Sequence, residues 1–259
     1  MKKKTVFDIL KRKNKTPIVC LTSYSSPITE ILDKYCDIIL VGDSLATTLY
    51  GMSNTKKIDI KTMILHAQSV TRKTKKSLVV VDMPYKTYID KFSAYENAKK
   101  IMKSSQCDAV KLEGGIKIFE IVNYLTKKGI PVMGHIGLLP QKEKSHFKVK
   151  GKNLKQRKKI IKDAIAIEKA GAFSLVIECV IEELAKEITN TIKIPTIGIG
   201  ASKFCDGQIL VIDDLIGLSN LNAKFVKKYA NLKNIINDSV KKYCLDVKRR
   251  KFPRTQHTY

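Results

Sequence analysis

The sequence has 259 residues, contains no tryptophan, and has only six arginines among its 49 basic residues. Readout of base edges and stacking on bases depend on the planar guanidinium group, which lysine lacks. The lysines are spread along the chain, and no basic run carries interleaved aromatic residues. The formal net charge of +25 therefore indicates lysine-rich, solvated helix faces, and we expect no nucleic-acid partner. A basic RNA- or DNA-binding module is the alternative from another functional class.

The sequence also lacks long apolar runs and paired cysteines. No stretch approaches the ~20 apolar residues that span a bilayer, and Asp8 and Lys11 interrupt the apolar stretch near the N-terminus, which argues against a signal peptide. The six cysteines form no Cys-x-x-Cys pair and share no zinc-site spacing with the four histidines. We expect buried, reduced thiols in a soluble, cytoplasmic protein that has no membrane partner.

Eight short apolar runs, rich in β-branched residues, recur along the chain. Each is nearly continuously apolar, as is typical of parallel strands buried on both faces. The predicted strands are 17–24, 37–44, 77–84, 109–115, 131–138, 173–180, 195–201 and 208–214.

Helical patterns lie between most of these strands. Ser26-Pro27 opens one helix, whose predicted apolar face carries Ile28, Ile31, Leu32 and Tyr35. Ser93 and Glu96 have the spacing of a capping box, which predicts a second helix start. Gly129 and Gly171 follow two further apolar stripes, where each glycine is expected to end a helix.

This alternation predicts an α/β protein with a (β/α)₈ TIM barrel, and a doubly wound open sheet is the alternative. Only residues 202–207 separate strands seven and eight, which is too short for a helix, so the barrel is expected to be irregular there. No shift in composition marks a domain boundary. We therefore predict one domain over residues 1–259, with an unordered basic tail from about residue 248.

Polar residues follow the predicted strands at their carboxyl ends, where barrel enzymes build their active sites. Asp43, Asp82 and Glu113 come from three neighbouring strands, and hard carboxylate ligands of this kind suit Mg²⁺. The alternative is that such acids only cap helices or form turns. Lys111 lies on the same strand face as Glu113, where a cation favours an anionic substrate.

Three further features bear on this end of the barrel. Glu178 follows an apolar run, and desolvation there would favour a general base, although pairing with a lysine at the barrel mouth is an equal alternative. His135 is read either as a hydrogen-bond donor to an oxyanion or, preferably, as a core histidine, whereas His66 is expected to be structural. The lysine-rich segment 139–153 is predicted to be a mobile loop over the site.

Six motifs occur in an order that resembles one known family. They are Val41-Gly-Asp-Ser-Leu45, Asp82-Met-Pro84, Val110-Lys-Leu-Glu-Gly-Gly115, Gly134-His-Ile-Gly-Leu-Leu-Pro-Gln141, Val176-Ile-Glu-Cys-Val180 and Asp206-Gly-Gln-Ile-Leu-Val211. Together they resemble the 3-methyl-2-oxobutanoate hydroxymethyltransferases, also called ketopantoate hydroxymethyltransferases, over roughly residues 5–242.

The resemblance implies a transferase of pantothenate biosynthesis. Such an enzyme moves a hydroxymethyl group from 5,10-methylenetetrahydrofolate to 3-methyl-2-oxobutanoate and forms 2-dehydropantoate through a Mg²⁺-stabilised enolate. The resemblance also implies residue roles: Mg²⁺ held by Asp43, Asp82 and Glu113; the 2-oxo acid contacted by Asp43, Ser44, Asp82, Lys111 and His135; and Glu178 as the base. It further implies a homo-oligomer, typically a decamer.

Two departures from the family pattern lie in loops. Ser202-Lys203 stands where the family usually has a glycine, and Ser145-His146 where it often has a glycine pair. Both bear on loop conformation and folate binding, and neither touches the expected metal or base positions. The nearest enzymatic alternative is a Mg²⁺-dependent lyase or mutase of the phosphoenolpyruvate/isocitrate type. Its expected Lys-Lys-Cys-Gly-type loop is missing from the sequence.

Overall fold

The computed structural model describes residues 2–143 and 148–259. Its internal contacts divide the chain into two compact units, Met1–Val211 and Ile212–Tyr259. The single-domain expectation stays a prediction. Part of the predicted mobile loop, residues 144–147 with Ser145-His146, lies outside the described residues.

The first unit is a closed barrel of eight parallel strands that pair in chain order, β1 to β8, with β8 returning to β1. This confirms the predicted barrel and excludes the open sheet. The strands are β1 Ile18–Thr22, β2 Ile38–Val41, β3 Leu78–Asp82, β4 Ala109–Glu113, β5 Val132–Gly137, β6 Ser174–Glu178, β7 Thr196–Ile199 and β8 Gly207–Leu210.

Helices connect most of these strands. They are α1 Val6–Leu10, α2 Ser26–Leu32, α3 Leu45–Thr48, α4 Ile60–Thr71, α5 Lys91–Ser105, α6 Phe119–Lys127, α7 Leu154–Lys169 and α8 Glu182–Thr191, with 3₁₀ turns at Thr55–Lys57 and Ile116–Ile118. Between β7 and β8 a short loop takes the place of a helix, as the sequence predicts. Among the described residues, no helix is long and apolar enough to cross a membrane.

Two boundaries and one helix face differ from the sequence predictions. Helix α5 begins three residues early because Asp90, rather than Ser93, is its N-cap and accepts hydrogen bonds from Phe92 N and Ser93 N. The eighth predicted strand runs too far, since the chain enters a helix at Ile212. The predicted face of α2 is also wrong in part: Ile31 is exposed, and so is Tyr35, which lies beyond the end of the helix.

The barrel interior is packed at its amino end by the N-terminal helix. Ile9 of α1 is fully buried and belongs to one cluster with the first residues of several strands, including Ile18, Ile38 and Leu78. Burying an isoleucine of this kind contributes about 1.5–3 kcal/mol. The amino end is therefore closed by apolar packing, which leaves the carboxyl end for polar side chains.

Helix ends and cysteines follow the sequence predictions closely. Gly129 and Gly171 follow the caps of α6 and α7 with φ values of +80° and +89°, the left-handed conformation that ends a helix. Five of the six cysteines are free and buried, as expected, whereas Cys244 is free and exposed.

The second unit contains two helices, α9 Ile212–Leu215 and α10 Leu232–Lys248, and a 3₁₀ turn at Thr255–His257. No residue of α10 is buried. The tail after residue 248, for which the sequence predicts no order, is thus described and includes the short 3₁₀ turn.

We predict that Gly137→Ala destabilises the barrel much more than Gly129→Ala. Both glycines have positive φ, +92° and +80°, but a Cβ at residue 137 would lie 2.3 Å from the carbonyl oxygen of Glu178, whereas nothing lies within 4 Å at residue 129. The control variant should lose about 1–2 kcal/mol of unfolding free energy from backbone strain. Gly137→Ala should lose about 2 kcal/mol more from the clash. Urea unfolding measures both, and equal losses would contradict the steric argument.

Candidate active site

Strand register places the predicted site residues at one end of the barrel. Asp82 pairs with Lys111 across β3 and β4, and Glu113 pairs with His135 across β4 and β5. Glu178 is the last residue of β6. Asp43 and Ser44 come directly after β2. Every one of these acids has a side chain that is at least nine-tenths buried in the protein.

Short polar contacts join the acids on the β2–β4 side of this end. Lys111 Nζ forms an ion pair with Asp82 Oδ1 at 2.8 Å. The backbone N–H of Asp43 donates to Asp82 Oδ2 at 3.0 Å. Asp82 therefore lies between a buried ammonium group and a backbone donor, and it fixes the turn that carries Asp43.

His135 lies between Lys111 and the carboxylate of Glu178. Lys111 Nζ is 3.4 Å from His135 Nδ1, and His135 Nε2 is 3.0 Å from Glu178 Oε2. A charged lysine can only donate, so Nδ1 is assigned as the acceptor and Nε2 as the nitrogen that carries the proton. Burial, followed by the charge of Lys111, lowers the pKa of His135 well below its usual value, which keeps the ring neutral.

Burial raises the pKa values of three carboxyl groups at this end of the barrel. Burial, with Asp82 beside it, raises the pKa of Asp43 to about 7. Burial and the charge of Asp43 raise the pKa of Glu113 well above its usual value. Burial raises the pKa of Glu178 to about 8. Near neutral pH these groups therefore hold protons or require a cation, because the low-dielectric interior penalises each charge.

The pKa of Lys111 is raised, whereas burial alone would lower the pKa of a lysine. Burial opposes its charged form, but the neighbouring carboxylates, Asp82 first among them, outweigh that effect and raise the pKa of Lys111. The lysine consequently remains charged over the whole physiological range. It supplies the site with a permanent positive charge.

Ser44 and two histidines complete the comparison with the sequence predictions. Ser44 Oγ lies 2.8 Å from the hydroxyl of Tyr24, beside the acid cluster. His66 contacts the backbone oxygen of Tyr24 at 2.7 Å and the hydroxyl of Tyr50 at 3.0 Å, which fits the structural role expected of it. His135 is buried, as a core histidine would be, yet it contacts site residues on both ring nitrogens. The structure thus brings the predicted residues together, and their roles stay predictions.

Two site residues were not predicted from the sequence, Tyr88 and Gln141. Gln141 is the last residue of a motif noted above, which is the one indication of it that the sequence offers. Its amide nitrogen donates to Asp43 Oδ2 at 2.8 Å, and the Tyr88 hydroxyl donates to its amide oxygen. No pattern marks Tyr88, which lies in the loop after β3 and before α5.

Backbone strain accompanies the residue that follows Glu178. Cys179 has φ +49°, a left-handed conformation that a non-glycine residue adopts at a cost of roughly 1–3 kcal/mol. Its N–H donates to Ile199 O at 2.9 Å and its oxygen accepts from Lys150 N at 2.7 Å. These hydrogen bonds hold the turn that directs the Glu178 carboxyl group into the barrel mouth.

The loop after β7 carries one of the two departures from the family pattern. Gly200 has φ +58°, and Ser202 is buried whereas Lys203 is exposed. The side-chain amide of Gln208 donates to Ser202 O at 2.8 Å. Serine is therefore accommodated within a hydrogen-bonded turn, and the lysine side chain lies at the surface.

The buried carboxylates at the barrel mouth bear on whether a divalent cation can bind there. Within residues 2–143 and 148–259, no group of three or more Asp, Glu, His or Cys side chains is placed to hold a metal ion. Mg²⁺ does not need such a group, because it usually takes one or two carboxylates and completes its octahedron with water and substrate. The hard oxygens of the buried Asp43 and Asp82 fit that requirement.

Fold and site together define a (β/α)₈-barrel enzyme whose carboxylate-rich active site lies at the carboxyl ends of the strands. A sequence model of the family described as "Ketopantoate hydroxymethyltransferase" matches residues 3–255. The chain belongs to this family, and it is a transferase.

Relatives support the assignment over the full length of the chain. The 3-methyl-2-oxobutanoate hydroxymethyltransferase of Pelagibacter ubique (strain HTCC1062) is 53% identical over 256 residues, which cover 99% of this chain and 99% of that protein. The enzyme of the same name from Phenylobacterium zucineum (strain HLK1) is 48% identical over 97% of this chain and 93% of the relative.

Solved structures share the fold at low identity. A phosphonopyruvate hydrolase superposes with a TM-score of 0.66 at 9% identity and covers 98% of this chain and 90% of its own. A 2,3-dimethylmalate lyase of the PEP mutase/isocitrate lyase superfamily gives 0.62 at 13% identity, over 98% of this chain and 87% of its own. At these identities the likeness shows the barrel alone, so it does not favour the lyase or mutase alternative.

We predict that Lys111→Met destabilises the protein more at pH 8 than at pH 5 when divalent cations are absent. Without the ammonium group the folded-state pKa values of Asp43, Glu113 and Glu178, which Lys111 lowers, rise further above the unfolded value of about 4. Between pH 5 and pH 8 the folded variant then retains protons that the unfolded chain has released, so its unfolding free energy falls as pH rises. The loss should reach about 3–5 kcal/mol at pH 8.

Urea unfolding at the two pH values measures this loss. Lys13→Met is the matched control, because Lys13 Nζ forms a buried ion pair at 2.9 Å with a single acid, Asp206. Asp206 keeps hydrogen bonds from the backbone nitrogens of Asn14 and Thr196. The control should lose stability almost equally at both pH values. Equal losses for Lys111→Met as well would show that the carboxylates do not depend on Lys111.

Proposed function

We propose that the protein transfers a hydroxymethyl group from 5,10-methylenetetrahydrofolate to 3-methyl-2-oxobutanoate and forms 2-dehydropantoate, a precursor in pantothenate biosynthesis. Membership of the family and the names of its close relatives support the reaction. The observation that carries the proposal is the convergence of buried carboxylates on Lys111 at the barrel mouth. An α-proton next to a ketone is only weakly acidic, and removing it requires a base together with stabilisation of the enolate.

Mg²⁺ is the cofactor that this site suits. Asp43 and Asp82 would hold the ion, and Glu113 would lie beside it. Each of these carboxylates uses one oxygen in a hydrogen bond with the protein, namely Asp43 Oδ2, Asp82 Oδ2 and Glu113 Oε2. Asp43 Oδ1 and Glu113 Oε1 are then the oxygens available to a cation, whereas Asp82 Oδ1 is ion-paired with Lys111 and would be shared between the ammonium group and the cation. When bound, Mg²⁺ would supply Lewis acidity at the 2-oxo group and offset the negative charge of the cluster.

The remaining steps are assigned to side chains of this chain. Lys111 would pair with the substrate carboxylate, since it is a buried cation that stays charged. Ser44, the residue after Asp43, would donate a hydrogen bond to the same substrate. Glu178 would remove the proton from C3, and the resulting carbon nucleophile would form a C–C bond to the one-carbon unit of the folate. In the net reaction, both C–N bonds of that carbon break, water supplies the hydroxyl oxygen of the product, the C3 proton and one proton of the water pass to the two nitrogens, and tetrahydrofolate leaves.

His135 would orient the base and present its proton towards the reacting centre. Its Nε2 lies 3.0 Å from Glu178 Oε2 without an aligned hydrogen bond in the structure, and a neutral N–H turned towards that carboxylate would stabilise its ionised form. Because the ring is neutral, it adds no positive charge beside the carboxylate. Expectations of a homo-oligomer, of a cytoplasmic location and of no nucleic-acid partner stay predictions.

The proposed function predicts product formation from these two substrates. The chain should convert 3-methyl-2-oxobutanoate and 5,10-methylenetetrahydrofolate to 2-dehydropantoate, with a rate that falls at least about tenfold when EDTA removes divalent cations. Mass spectrometry of the product measures this. Phosphonopyruvate and 2,3-dimethylmalate are the control substrates, because the structural neighbours act on compounds of those names. Turnover of either control, without 2-dehydropantoate, would refute the proposal.

The role of Glu178 predicts a specific loss of proton abstraction. Glu178→Gln should slow deuterium exchange at C3 of 3-methyl-2-oxobutanoate by at least about 100-fold, because the amide cannot accept the proton. In the unmodified protein, exchange should increase with pH up to the pKa of Glu178, about 8, since only the ionised carboxylate acts as a base. Proton NMR in D₂O measures both rates.

The matched control for this experiment is Glu182→Gln. Glu182 is exposed in the first turn of α8, four residues after Glu178, and it should leave the exchange rate within about twofold of the unmodified value. Unchanged exchange in Glu178→Gln would remove Glu178 from the role of base. An exchange rate that does not vary with pH between 6 and 9 would contradict the assigned ionisation.

A further inference from the structure

Gln141 is more deeply buried than its position in a loop would suggest. It follows β5 and precedes the exposed Lys142, yet only 2% of Gln141 is exposed. A primary amide carries two donors and one acceptor that must find partners when it is buried. The partners of Gln141 therefore show what this side chain does.

Every polar group of Gln141 that faces the barrel mouth is engaged. Its Nε2 donates to Asp43 Oδ2 at 2.8 Å and to Met83 O at 2.9 Å. Its Oε1 accepts from the hydroxyl of Tyr88. Nitrogen faces two acceptors and oxygen faces a donor, so the reverse orientation of the amide would break all three hydrogen bonds.

The backbone of the same residue contacts a second acid. Gln141 N donates to Glu113 Oε2 at 3.1 Å. One residue thus fixes carboxylates that follow two different strands, Asp43 after β2 and Glu113 at the end of β4. The hydroxyl of Tyr88 also accepts from Glu113 N at 3.4 Å, so Tyr88 contacts both Gln141 and the strand that carries Glu113.

The chemistry of an amide suits this position. A lysine or arginine in its place would also donate to Asp43, but its positive charge would repel a divalent cation bound to the same carboxylate. The neutral amide orients the carboxylate and leaves its negative charge available. A hydrocarbon side chain would leave Asp43 Oδ2 without this donor.

We propose that Gln141, held by Tyr88, is a positioning residue that sets the relative orientation of the Asp43 and Glu113 carboxylates for a bound divalent cation. The inference rests on the proposed function only in that it assigns the cation to this cluster. It assigns to Gln141 no contact with the reacting atoms. Its consequences concern cation affinity first and turnover second.

The test substitutes Gln141 by leucine, which has a similar length and no hydrogen-bonding group. Gln141→Leu should weaken Mn²⁺ binding at least about tenfold and lower kcat more than it raises KM for the 2-oxo acid. Mn²⁺ binding is measured by the electron paramagnetic resonance signal of the free ion. Tyr88→Phe removes a single hydroxyl and should weaken Mn²⁺ binding about threefold. In the double variant the two effects should not add, because both residues act through one hydrogen-bonded unit.

Two matched controls separate positioning from packing. Gln156→Leu changes a glutamine whose side-chain oxygen accepts from Gly151 N, away from the acids. Tyr95→Phe removes a hydroxyl from α5. Both should keep Mn²⁺ affinity within about twofold of the unmodified protein. Urea unfolding identifies any variant that simply fails to fold, and Tyr88→Phe then tests the proposal with an intact side-chain volume.

The possible outcomes decide the two proposals separately. If Gln141→Leu and Tyr88→Phe both bind Mn²⁺ as the unmodified protein does, or lose only stability, the positioning role is overturned and the function stands. If the unmodified protein forms no 2-dehydropantoate, the function fails, and the Mn²⁺ titrations still decide the role of Gln141. Additive effects in the double variant would overturn the claim that Tyr88 acts through Gln141.

Discussion

The structure depends on one constraint, the burial of four carboxyl groups, Asp43, Asp82, Glu113 and Glu178, around a single lysine, Lys111. Ionised carboxylates taken out of water are destabilised unless a cation or hydrogen-bond donors compensate them. The barrel supplies that compensation from rigid elements, because parallel strands in register place an ammonium group beside Asp82. This compensation is incomplete, so burial still raises the pKa values of Asp43 and Glu178.

Neutral groups supply most of the other compensation at this end of the barrel. The N–H of Asp43 donates to Asp82, the N–H of Gln141 donates to Glu113, and the ring of His135 is held neutral beside Glu178. Neutral donors orient a carboxylate without cancelling its charge. The site therefore stays electronegative and pre-organised, which is the condition for recruiting a divalent cation. If salt bridges neutralised every carboxylate of the cluster, no negative charge would remain to bind a divalent cation.

The sequence predicts the barrel well because its signals are local and repeated. Continuous apolar runs mark all eight strands, and the glycines at 129 and 171 mark helix ends. It also predicts which residues meet at the carboxyl end, since closure of the barrel turns strand-end positions into neighbours. The sequence prediction fails where two nearby residues could both serve as the N-cap of a helix. At the start of α5, Asp90 rather than Ser93 is the N-cap. Tyr88 and Gln141 are not predicted as site residues because both lie in loops. The conformation of a loop is not encoded in any periodic sequence pattern.

The charge of the whole chain and the charge of the site have opposite signs, and the two act over different distances. Surface lysines carry the net +25, but salt screens their field beyond a Debye length of about 8 Å. An anionic oxo acid that enters the barrel therefore meets the local excess of carboxylates. Lys111 offsets one of these charges, so under the proposed function the cation must be in place before or together with the substrate. The acid cluster that makes chemistry possible would otherwise exclude the molecule on which it acts.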